Sequence, residues 1–135
     1  MKNHRQPRFS QAFTLLEMTV VIMVLLALVQ TGMFTSRKID EWKLARSATE
    51  TLRSVYTAQR MYLADNPTVA VSSLTPALLL SYLPNNPTAM PTVKSLTGAT
   101  YPILVSVSPP VINAGSGVPY DPSGNNQDSL WDVGE

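Results

Sequence analysis

Glu17 is the carboxylate whose position forces a chemical question. It stands directly before residues 18–36, which contain no charged side chain, and a carboxylate carried into lipid without a partner costs on the order of a few kcal/mol. It needs either a cation to pair with or a place in the first turn of a helix, where the macrodipole favours an acid. A second group lies near the C-terminus, where YDPSGNNQDSLWDVG concentrates oxygen-bearing side chains at Asp121, Ser123, Asn125, Asn126, Asp128 and Asp132. Hard cations such as calcium take about six to eight oxygens from loops of this kind. Asp121, Asn125, Asp128 and Asp132 are therefore the candidate metal ligands, and calcium is the only cofactor to consider. Their spacing does not match an EF-hand, and Asp-Pro-Ser-Gly followed by Asn-Asn is equally ordinary turn chemistry.

Little else in the chain is equipped for catalysis. There is no cysteine, and the single histidine is His4. Disulfides, thiolate metal sites and a cysteine nucleophile are thereby excluded. No glycine-rich phosphate loop is present, and the remaining carboxylates are scattered, so no enzyme is expected. The net charge is +1, and of the ten Lys and Arg only Lys94 follows Arg60. The C-terminal half has no basic face for nucleic acid.

These groups must be positioned by three kinds of segment. Residues 1–12 are short, polar and basic, with Lys2, Arg5 and Arg8. At Phe13 the character changes to an apolar run that, at about 1.5 Å per residue, nearly crosses a hydrocarbon core of about 30 Å. Residues 13–36 are thus read as a membrane helix. The basic residues ahead of the run place the N-terminus in the cytoplasm and the remainder outside. All 11 prolines lie outside residues 8–66, and Gly32 is the sole glycine of that stretch, so the helix is expected to continue to Asp65 and to stop at Asn66-Pro67. In residues 37–65, Ile39, Trp42, Ala45, Ala48, Leu52, Val55 and Tyr62 recur at helical spacing, which predicts an amphipathic continuation whose apolar face packs on a small sheet.

Residues 66–135 form the remaining head. Thr75-Pro76 supplies an N-cap position followed by proline at the first helical residue, which predicts a short helix over ALLLSYL ending at Pro84. TYPILVSVS is rich in β-branched and aromatic residues and alternates at Ile103, Val105 and Val107, the pattern of a strand. Further strands are expected at 111–113 and 129–133. The predicted fold class is α+β: a long N-terminal helix, membrane-spanning in its first half, packed on a small antiparallel sheet.

The segment QAFTLLEMTVVIMVLLALV resembles the type IV prepilin signature, in which a basic leader ends at a small residue and is followed by Phe-Thr-Leu-(Ile/Leu)-Glu and an unbroken apolar stretch. The matching residues are Ala12, Phe13, Thr14, Leu15, Leu16 and Glu17. Alanine at position 12 replaces the family's usual glycine and is the mildest such change. The resemblance implies a pilin-like fold and cleavage between Ala12 and Phe13 by prepilin peptidase, with N-methylation of Phe13. It also implies an ion pair between Glu17 and the Phe13 amine of a neighbouring subunit. The implied function is structural: a pilin, minor pilin or pseudopilin of a type IV pilus, a type II secretion pseudopilus or a related DNA-uptake fibre. Such a subunit is held in the bacterial inner membrane with its head exported, and its partners are the peptidase, membrane lipid and other subunits of the filament. Some pseudopilins of this kind carry calcium in the C-terminal loop. His4 would leave with the leader. The alternative is a single-pass anchored or secreted non-enzymatic binding protein. A conventional signal peptidase, however, cuts after the apolar region, where residues 29–34 offer few suitable small residues.

Overall fold

A computed structural model describes residues 14–134 of the chain, so Ala12 and Phe13 lie outside the described residues. Its first element is a 51-residue helix, α1 (Leu15–Asp65). The head adds a short helix α2 (Pro76–Leu79), continued by a 3₁₀ turn at Leu80–Tyr82, and three strands: β1 (Thr92–Lys94), β2 (Thr100–Leu104) and β3 (Val111–Ile112). The fold is α+β, a long apolar N-terminal helix together with a small antiparallel sheet of order β1-β2-β3. The chain divides into two units, Met1–Arg37 and Lys38–Glu135.

In the first unit the described helical residues are all exposed, apolar ones included. Among the described residues α1 is the one helix, near the N-terminus, long and apolar enough to cross a membrane. Its polar groups are handled internally. The hydroxyls of Thr19, Thr31 and Thr35 donate to the carbonyls of Leu16, Ala27 and Thr31 at 2.8, 2.9 and 3.1 Å. Hydroxyls satisfied within their own helix do not need water, which makes such a surface compatible with lipid.

In the second unit the core forms on one face of α1. Ala45, Ala48, Leu52, Val55 and Ala58 pack with Leu79, Val93, Ile103, Val105, Ile112 and Trp131. Three of these helical positions are alanine. Trp42 departs from the expected stripe: it is 56% exposed, and Ile39 is 48% exposed. The apolar period continues upstream of Ala45, but no sheet residue is available there to cover it.

The strands are set by where apolar residues alternate and where proline interrupts. β1 pairs with β2 through Val93↔Tyr101 and its neighbours, whereas β3 pairs with β2 through Ile103↔Ile112 and Leu104↔Val111. The two ladders are staggered along β2. Pro102 therefore sits where β1 ends, and its carbonyl accepts from the Asn113 N–H at 2.9 Å. A central strand accommodates proline only where no ladder donor is needed. Ile103 and Val105 are buried as the alternation predicts, but Val107 is exposed because the strand has already ended at Leu104.

The strand expected at 129–133 is not formed. Trp131 and Val133 do turn inward, which is the origin of the period-2 signal, yet Ser129 and Trp131 adopt positive φ, which no strand tolerates. The backbone here bonds to α1 instead. The Thr49 hydroxyl donates to the Ser129 carbonyl at 2.9 Å, and Arg53 Nε donates to the Val133 carbonyl at 2.9 Å. Nearly two turns further along, the buried Gln59 amide donates to the carbonyls of Val105 and Val107 at 2.9 and 2.8 Å.

Gly134 completes this clamp. Its φ is +70°, and a Cβ at that position would overlap Ser129 Oγ and come within 2.9 Å of Arg53 Nη2. Gly134→Ala should therefore destabilise the head by about 1–3 kcal/mol through backbone strain and loss of the Arg53 contacts. Guanidinium unfolding of the detergent-solubilised chain, followed by the near-ultraviolet signal of buried Trp131, measures this, and an unchanged midpoint would contradict the account.

Candidate functional site

The N-terminal candidate is built from the first turn of α1. Thr14 precedes the helix and Glu17 is its third residue. The Thr14 backbone N–H donates to Glu17 Oε2 at 2.8 Å, and the Thr14 hydroxyl donates to the same oxygen at 3.1 Å. In return the Glu17 N–H donates to Thr14 Oγ1 at 3.2 Å. This reciprocal arrangement is a capping box: it satisfies donors that the first turn of any helix leaves open, and it places the acid where the helix dipole is positive. Of the two roles the sequence offers Glu17, the structure displays the helix-end role. An ion pair with the Phe13 amine falls outside the described residues. All three bonds involve Oε2 or the backbone, so Oε1 is left for another donor.

The second candidate is the loop after Tyr120. Asp121 Oδ1 accepts from the Ser123 N–H and hydroxyl at 3.0 and 2.7 Å. Asn125 Oδ1 accepts from the Gln127 N–H at 3.2 Å, and Asp128 Oδ1 from the Leu130 N–H at 2.9 Å. Three of the four candidate ligands thus fold the loop by bonding their own backbone two residues on, the turn chemistry that competes with a metal for such residues.

Asp132 differs. Both of its carboxylate oxygens are shielded from solvent and have no hydrogen-bond partner of ordinary geometry. Burial, and then the neighbouring Asp128, push its carboxyl above the usual aspartate range; Asp121 adds to the shift and the nearby Gly134 N–H offsets part of it. The carboxylate borders a cavity of about 450 Å³ lined by Tyr120, Asp121, Asn126, Gln127 and Trp131 among others. Asn126, not Asn125, faces this space. Among the described residues no three His, Cys, Asp or Glu side chains gather into a metal-holding group. Any cation here would take charge from Asp132 and its neighbours Asp121, which also lines the cavity, and Asp128, and its other oxygens from amides and carbonyls. A buried carboxylate with unmet acceptors beside a second acid fits such a cation, because bound positive charge would remove both the desolvation cost and the repulsion. The burial of Asp132 was not legible in the sequence, since its position depends on the clamp between α1 and the carbonyls of Ser129 and Val133.

No protein-family model, curated protein or solved structure matches the chain.

The raised carboxyl has a defined consequence for stability. Between the ordinary aspartate value of 3.8 and the raised value in the fold, the folded chain holds more protons than the unfolded one, so stability falls as pH rises through that window. In the presence of chelator, Asp132→Asn should be more stable than the parent at pH 7 and should lose that advantage as pH falls toward 3.8. Thermal melts across this range test the sign, and identical pH profiles for the two proteins would remove the strained carboxylate.

Proposed function

We propose that the chain is a non-enzymatic structural subunit of the pilin, minor pilin or pseudopilin type, processed at Ala12-Phe13, held in a membrane by its N-terminal helix and assembled into a filament through that helix. The observation that carries this reading is an exposed apolar helix whose approach is marked by Ala-Phe-Thr-Leu-Leu-Glu and whose first turn holds the acid of that motif. A surface of this composition needs lipid or other apolar helices around it. Both are supplied in succession to a subunit that passes from a membrane into a helical filament.

Cleavage after Ala12 would leave Thr14 one residue from a free amine. The capping oxygen, Oε2, would then lie near a new positive charge, while Oε1 would be open to the amine of a neighbouring subunit. Opposite charges in a low-dielectric helix bundle attract strongly and tolerate little displacement, which gives the pair a role in fixing register while apolar contact supplies most of the binding. The loop reading belongs to the same proposal: calcium would be held by Asp128 and Asp132 and would stabilise the head.

Mass spectrometry of the mature protein should show a chain beginning at methylated Phe13, and an intact Met1 on assembled material would end the proposal. Two substitutions separate the roles of Glu17. Glutamine preserves a capping box whereas alanine removes it, at a cost of about 0.5–2 kcal/mol. Glu17→Gln should therefore remain membrane-inserted with its helix end intact yet enter filaments poorly, as Glu17→Ala should. Normal filament content in Glu17→Gln would reduce Glu17 to a helix cap. For the loop, calcium should raise the melting temperature of the parent and not of Asp132→Asn. No shift in the parent would exclude the metal.

A further inference from the structure

Ile39, Trp42 and Arg46 are exposed on α1, where its apolar stripe runs on upstream of the core that the head builds from Ala45 onward. Spaced at i, i+3 and i+7, the three residues share one side of the helix. The Arg46 guanidinium carbon lies 5.7 Å from the centroid of the Trp42 ring, so a cation rests against a large amphipathic aromatic. The acids of this segment are already engaged: Lys38 pairs with Glu41 at 2.9 Å and Lys43 reaches Asp40 at 4.0 Å. Arg46 has no carboxylate partner among the described residues, which leaves its charge available to an anion.

We propose that Ile39, Trp42 and Arg46 form an interfacial anchor that seats in the phospholipid headgroup layer, Trp42 at the boundary between acyl chains and headgroups and Arg46 on lipid phosphate. This rests on the membrane-held reading above. Lipid is the occupant because Trp42 follows the last residue of the uncharged run, Ser36, by only six positions, and because the patch has the composition of an interface. Tryptophan, with one apolar face and one N–H donor, concentrates at that boundary on both sides of a membrane, and an arginine near the end of a span reaches lipid phosphate with its guanidinium while its stem lies along apolar surface. A face meant to stay in water would not need an exposed indole.

The chain has two tryptophans, and Trp131 is buried, so subtracting the spectrum of Trp42→Phe from that of the parent isolates Trp42. The full chain is reconstituted at low protein-to-lipid ratio in phosphatidylcholine vesicles, with and without phosphatidylglycerol, carrying bromine either near the glycerol backbone or deep in the acyl chains. The expected result is a blue-shifted Trp42 emission, quenched more by the shallow bromine than by the deep one and protected from aqueous acrylamide. Arg46→Gln should abolish the additional protection that phosphatidylglycerol brings. If the chain resists carbonate extraction while Trp42 emits as in water and is quenched by acrylamide but by neither bromine, the anchor is refuted and the membrane reading survives. Protection that appears only as the protein-to-lipid ratio rises assigns the face to a second copy and also refutes it. Extraction of the chain by carbonate overturns both readings together.

Discussion

Everything in this protein follows from one imbalance of apolar surface. Burying nonpolar area yields roughly 25 cal/mol per Å², and the Lys38–Glu135 unit obtains that gain by itself, closing Leu52, Val55, Leu79, Ile103 and Ile112 away from water. The described residues preceding it carry a longer apolar run and close none of it. No rearrangement of side chains within a single helix can hide such a surface. The solvent for it must come from outside the chain, and the internal bonding of Thr19, Thr31 and Thr35 leaves few polar groups to object when that solvent is lipid.

The head is small for a stable domain, has no disulfide, and places much of its chain in turns. Its cohesion therefore depends on polar side chains of α1 that reach across to backbone carbonyls: Thr49 to Ser129, Arg53 to Val133, Gln59 to Val105 and Val107. These bonds replace ladder hydrogen bonds that irregular segments cannot make for themselves. They also explain why Gln59, a polar residue at a core position, is fully buried. The cost of the arrangement falls at two places, Gln59 Oε1 and the carboxylate of half-buried Asp132, whose oxygens are shielded from solvent without a hydrogen-bond partner of ordinary geometry.

How much of this the sequence disclosed varied with the range of the interaction responsible. The helix was legible almost to the residue, because its limits are local: Thr14 caps it and Asn66-Pro67 stops it. The proline at the start of α2 and the β-branched run of β2 were likewise visible. Where tertiary contacts decide, the signal misled. The alternation at 129–133 records which side chains point inward, not that a neighbouring strand exists, and the helical period through Trp42 continues past the end of the sheet that was to cover it. At the loop, residue types revealed the oxygens. They did not reveal that Asp121, Asn125 and Asp128 spend theirs on turns while Asp132 is left without a donor.

Glu17 shows why a structural role and an assembly role need not compete. A capping box fixes the carboxylate's position at the helix end through Oε2 and does not neutralise it, since its donors are a neutral amide and a hydroxyl. The carboxylate therefore stands at a defined place directly ahead of an uncharged run, residues 18–36. An acid held rigidly is better suited to pairing than a free one, because less side-chain entropy is lost when a partner cation arrives. In the proposed filament the cap would act first, in the membrane, keeping the acid at the headgroup level where it is tolerated. The same geometry would then present Oε1 to an incoming amine, so that the bond shaping the isolated helix also prepares the contact that orders the assembly.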